Sequence, residues 1–119
     1  MDKIDIAEKL ARIRDHWSPR IVAELNGQHV KLVKFPGEFV WHRHENEDEL
    51  FLVVAGRFRM ELRERAIELG PGQLLVVPRG VEHRPVADDE VHVLLFEPVS
   101  TSNTGDVQSE RTVETPEWI

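Results

Sequence analysis

A chain of 119 residues has material for one domain and one core. Its 15 Lys and Arg face 22 Asp and Glu, for a net charge of −7 and a pI near 5.3. Without clustered basic residues the counterion release that drives binding to a phosphate backbone is missing, and nucleic acid is excluded as a partner. No cysteine is present, which removes disulfides, thiolate nucleophiles, Cys-based zinc sites and iron–sulfur clusters from consideration.

In chain order, Ile6, Leu10, Ile13 and Trp17 recur at helical spacing among charged residues. The pattern predicts a short amphipathic helix within residues 1–18, its stripe packed on the body of the protein and its end set by Pro19. His16, at that end, would complement the helix dipole. The segment lacks the apolar run of a signal peptide and nothing in the chain approaches membrane-spanning length, so the expectation is a cytoplasmic protein with no membrane partner.

Residues 19–99 carry the grammar of strands. Asn26-Gly27 is the favoured two-residue hairpin turn between Val/Ile-rich segments. Pro36-Gly37 opens a strand that runs into His42 and His44, and further turns are expected at Ala55-Gly56, at Gly70-Pro71-Gly72 and at the polar Asp88-Asp89-Glu90. About eight short strands at intervals of roughly 8 to 12 residues signal an all-β sandwich or barrel. Alternation on 57–62 sets Phe58, Met60 and Leu62 on one face and Arg57, Arg59 and Glu61 on the other. Segments 50–54 and 74–77 are apolar on both faces and need a second cover, which a homodimer would supply. Residues 100–119 form a polar C-terminal extension, expected as an extended or partly disordered arm whose Trp118-Ile119 either docks on the body or on a partner subunit or ends as a frayed terminus.

The chemistry concentrates at "WHRHENEDE" (41–49). Successive strand residues alternate sides, so His42 and His44 project together while Arg43 and Trp41 point away. Glu49 follows after an acidic loop, on a strand that a hairpin would bring back beside the histidines, and "VVPRGVEH" delivers His83 at a later strand end. Three imidazoles and a carboxylate suit one divalent transition metal ion per chain (Fe, Mn, Ni, Co, Cu or Zn) and suit Ca or Mg poorly.

The stretches 37–56 and 72–83 resemble the two signature motifs of the cupin superfamily. His42, His44, Glu49 and Gly56 fit the first, and Gly72, Pro78, Gly80 and His83 fit the second. With their linker, the motifs span about 40% of the chain. Gly37 stands one residue closer to His42 than the usual pattern, and Ala87 replaces an Asn that often closes the second motif. The resemblance, to small single-domain bacterial cupins of the mannose-6-phosphate isomerase-like kind, implies a double-stranded β-helix (jelly-roll) barrel with a short N-terminal helix. It implies metal ligation by His42, His44, Glu49 and His83.

Of the remaining candidates, His92 shares a face with Leu94 and Phe96 and would line the cavity as an acid/base group if that face is inward. Glu45 and Glu47 are alternative bases. Phe35, Phe51, Phe58 and Met60 are candidates for the cavity wall that core packing explains equally well, and His29, after the Asn-Gly turn, is expected to be exposed. The functional expectation is a metal-dependent isomerase, lyase or dioxygenase acting on a small polar metabolite such as a sugar or oxyacid. The alternative is a non-catalytic module that binds a small molecule or the metal itself.

Overall fold

Seven strands and one helix make up the computed structural model, which describes residues 1–119. Helix α1 (Ile6–Arg12) starts where the Asp5 side chain accepts a hydrogen bond from the Glu8 N–H and stops where Ile13 adopts extended backbone. Leu10 and Ile13 pack with Val22 and Leu32 on the outside of the sheet. The helix is therefore shorter than the apolar spacing suggested. Trp17 leaves the stripe altogether: its backbone takes φ +60°, a left-handed conformation disfavoured for a bulky residue, which sends the ring into the mouth of the barrel. His16 lies beyond the helix end and hydrogen-bonds Glu90 at 2.7 Å, so its expected dipole role is not the one it has.

The strands are β1 (Arg20–Leu25), β2 (Gln28–Glu38), β3 (Glu49–Ala55), β4 (Phe58–Glu61), β5 (Ala66–Leu69), β6 (Leu74–Val77) and β7 (Arg84–Pro98). All pair antiparallel, in the order β1-β2-β7-β3-β6, with β4 joining β7 to β5. The all-β barrel expected from strand spacing is what the chain forms, with two strands longer than their punctuation suggested. Pro36-Gly37 falls inside β2 at a register shift, where proline's missing N–H costs no ladder bond. Asp88-Asp89-Glu90 is likewise no turn: β7 runs through it, and the extra residues bulge out to solvent opposite Pro36. That bend lets β7 pair with β4 through residues 84–86 and with β3 through 92–96. Gly56 seats the β3–β4 turn against the bend; a Cβ there would stand 2.9 Å from the Glu90 carbonyl.

Inside, Val33, Phe35, Phe51, Val53, Val91 and Val93 are among the buried side chains of the main core, each fully buried group of this size contributing about 1.5–3 kcal/mol. Outside, the registers line up Val30, Phe96, Leu50 and Val76 in one row and Leu32, Leu94, Leu52 and Leu74 in the next. Helix α1 covers the β2 end of these rows; Val76 and Leu74 at the β6 end remain 48% and 57% exposed.

The C-terminal extension is an ordered strap. Asn103 donates to the Arg111 carbonyl and accepts from the Val113 N–H, and the Thr104 and Thr112 hydroxyls lie 2.6 Å apart. Ile21 and Ile119 complete it: Ile21 N–H donates to the Glu117 carbonyl at 2.8 Å and Ile119 N–H to the Ile21 carbonyl at 3.0 Å. Trp118 thus docks on the chain's own β1 edge, beside His29, which the pairing leaves only partly exposed.

Candidate metal centre

His42 and His44 lie on an irregular segment rather than a regular strand, and its partner is the loop that carries His83. His42 N–H donates to the His83 carbonyl at 3.1 Å, His83 N–H to the His42 carbonyl at 2.9 Å, and Gly80 N–H to the His44 carbonyl at 2.8 Å. Gly80 reaches that bond at φ +82°, open to glycine at no steric cost. Glu49 arrives as the first residue of β3, its side chain facing inward like that of Phe51.

The structure brings all four expected ligands together. His42, His44, Glu49 and His83 are buried, and each offers a ligand atom within 4.8 Å of the others. Donor atoms about 2.1 Å from a common ion stand about 3 Å apart when cis and about 4.2 Å when trans, so the cluster is of the right size. His42 Nδ1 lies 2.9 Å from the Val40 carbonyl and His83 Nδ1 2.8 Å from the Val81 carbonyl, which makes each Nδ1 the protonated donor and leaves each Nε2 with a free lone pair. Burial, reinforced at His42 by the His83 ring, lowers the His42 pKa to about 3; burial lowers His83 to about 4 and also lowers His44. All three rings are therefore neutral near pH 7, the form that ligates.

The decisive fit is the set of unsatisfied atoms. His44 Nε2, Glu49 Oε1 and His83 Nε2 are buried without a hydrogen-bond partner, although His44 Nε2 and Glu49 Oε1 are only 3.1 Å apart. Orphaned buried acceptors are costly and rare in folded proteins. A cation among them would satisfy all three at once.

Two buried charges beside the site were missed in the sequence. Lys31 Nζ donates to Glu97 Oε1 at 2.9 Å, with side chains only 3% and 1% exposed. Burial first, and the neighbouring Glu49 second, push the Glu97 pKa well above the usual carboxylate range; burial also raises Glu49. Alternation carried the signal: Glu97 shares its parity on β7 with Val91, Val93 and Leu95, and Lys31 shares its parity on β2 with Val33 and Phe35. The same parity places His92 on the outer face, where it hydrogen-bonds Glu90 at 2.9 Å; it does not line the cavity. Glu45 and Glu47 sit on the rim, Glu45 paired with Arg43 at 2.8 Å and Glu47 accepting from the Ser100 hydroxyl at 2.8 Å. Trp41 points away from the metal ligands, under the Arg63 guanidinium at 4.0 Å.

A cavity of about 40 Å³ opens on the site, lined by His42 and Glu49 together with Trp17, Phe35, Phe39, Phe51 and Asn103 among others. Phe58 and Met60 do not line it and fill the core instead. On the other side, His44 borders a polar cleft of about 190 Å³ with Glu45, Glu47, Ser100, Ser102 and Asp106.

Known proteins share this fold. The cupin domain matches residues 29–97. An uncharacterized protein of Bacillus subtilis strain 168, YdbB, is 34% identical over 64 residues, 53% of this chain and 57% of its own length; the match thus spans little more than half of that relative. A cupin-2 domain containing protein from Shewanella frigidimarina superimposes with TM-score 0.79 at 43% identity, over 80% of this chain and 93% of that one. Protein NMB1881 from Neisseria meningitidis does so with TM-score 0.76 at 28% identity, over 82% and 99%. A jelly-roll barrel whose spaced histidines and glutamate converge on one point, matched over more than half its length, makes this chain a member of the cupin family.

Proposed function

We propose that the protein is a metal-dependent enzyme of the isomerase, lyase or dioxygenase type, acting on a small oxygen-bearing metabolite, and we place it in the cytoplasm. The single observation that carries this reading is the convergence of three neutral imidazoles and a carboxylate whose buried acceptor atoms lack partners. A divalent transition metal held there would supply Lewis-acid or redox chemistry at coordination positions that the four side chains leave open. The Val40 and Val81 carbonyls fix the tautomers and ring orientations of His42 and His83. Phe39 and Phe51 set their rings against His42 and His83 and exclude water from that side. Glu97, whose pKa burial and then Glu49 push well above the usual carboxylate range, is the group beside the ligands that can exchange a proton, with Lys31 as its hydrogen-bond partner.

The cavity lining contains no Lys or Arg. A phosphate would meet no basic group there, which favours a small oxyacid or carbonyl compound over a sugar phosphate. The competing reading, a binding module without turnover, draws on the apolar cavity walls; the buried Lys31–Glu97 pair beside the ligands favours the enzyme.

The test is anaerobic purification with elemental analysis, followed by a thermal-shift screen of small metabolites. One transition metal per chain in the wild type and none in a His42→Ala/His44→Ala double variant is the expected result; full occupancy in the double variant would overturn it. With a stabilising metabolite in hand, Glu97→Gln should keep metal and ligand binding while lowering turnover about 10²–10⁴-fold if the protein is an enzyme.

A further inference from the structure

The cavity on the metal centre has an unusual door. Trp17 belongs to neither the helix nor the barrel, yet its indole stacks nearly parallel on Phe35, with centroids 4.3 Å apart, and on Phe39, at 4.8 Å. Phe39 in turn sets its edge against His42 at 5.2 Å, so two ring contacts connect the door to a metal ligand. Trp17 holds this position at φ +60°, anchored by its own N–H, which donates to the Lys34 carbonyl at 2.9 Å. The strap closes over it from outside: the Arg111 guanidinium lies 4.8 Å from the indole centroid, and Asn103, whose amide is tied to Arg111 and Val113, lines the same cavity. The half-open pocket that the indole shares with His42 and Glu49 leaves about 40 Å³, room for about two or three water-sized groups.

We propose that Trp17 is the specificity-determining residue of the metal centre, admitting ligands of about three non-hydrogen atoms and excluding rings and sugars unless the indole swings out. This deepens the metal-dependent reading and rests on it. A chamber of this size with aromatic walls takes a diatomic gas, a triatomic anion or a ligand no larger than a one-carbon carboxylate. A sugar or an aromatic acid would have to displace the indole from Phe35 and Phe39 and part it from Arg111.

The test uses full-length protein loaded with Co(II), its metal content measured first, and follows the visible d–d bands during titration with azide or with imidazole. Wild type should bind azide and bind imidazole at least about tenfold more weakly than Trp17→Ala does, whereas azide affinity should change by less than about threefold. Trp17→Phe should behave as wild type, and Arg111→Ala, which frees the strap without cutting the core, should admit imidazole to an intermediate degree. Should Trp17→Ala fail to fold, as judged by circular dichroism, Trp17→Leu and Arg111→Ala decide the matter. Imidazole affinities equal in wild type and variants would overturn the gate while leaving the metal centre standing. Failure of the wild type to take up Co(II) would overturn both.

Discussion

His42 and His83 exchange both of their main-chain hydrogen bonds, at 3.1 and 2.9 Å, and their ring centroids stand 4.3 Å apart. Backbone pairing and ligand placement are thus one feature. Removing the His83 ring by His83→Ala should leave the pairing in place and strip the metal, lowering content from one ion per chain to below about a tenth by elemental analysis. Chelation of the wild type should lower the melting temperature by about 10 °C or more, since a ligand present at a thousand times its Kd contributes about 4 kcal/mol. The His83→Ala protein should show no response to chelator.

Lys31→Met should destabilise the protein by about 1–3 kcal/mol in urea melts, because it leaves the buried Glu97 carboxyl group without its hydrogen-bond partner. Adding Glu97→Leu removes that carboxyl group, and the double variant should recover most of the loss. A single variant that melts like the wild type would show that the pair is not buried together in solution.

The metal-free fold should be acid-sensitive in a defined window. His42 and His83 have folded-state pKa values of about 3 and about 4 against an ordinary 6.5. Above pH 6.5 both states hold these rings neutral and the rings contribute no pH dependence. Below it the unfolded chain takes up protons that the folded one refuses, so stability falls as pH drops from 6.5 towards 4 and below. Melting temperatures of chelated protein at pH 7.5 and pH 5 should differ by several degrees, the lower value at pH 5. His83→Gln should flatten the slope.

We propose a homodimer through the apolar outer face of the sheet, on which Val76 and Leu74 stand half exposed at the β6 end of two apolar rows. Light scattering should give twice the chain mass for the wild type. Leu74→Lys with Val76→Lys should give a monomer with its metal content unchanged.

How far the sequence reaches is clear from particular residues. His42, His44, Glu49 and His83 were legible because a metal site needs fixed residue types at strand-end spacings, and both requirements are local. The pair Lys31–Glu97 was legible in principle by parity, but each charge looks like solvent-facing decoration until its strand is known to be lined with valines. Trp17 was misread because four-residue spacing from Ile13 mimics a helix, and nothing local announces the left-handed backbone that redirects the ring. Asp88-Asp89-Glu90 carries a turn composition yet sits in a bulge, because β2 and β4 hold β7 in the sheet before it and β2 and β3 after it. The strap was the hardest: its polar residues satisfy one another, and side-chain bonds such as Asn103 to Val113 have no periodicity to betray them.

Glu49 meets Val77 across the β3–β6 pairing and His42 meets His83 across an isolated bridge, so the ligands are assembled by contacts between residues far apart in the chain. Long-range strand pairing of this kind is slow and late in folding. No short segment of the chain therefore carries the whole ligand set, and tight metal binding should appear only together with the folded barrel.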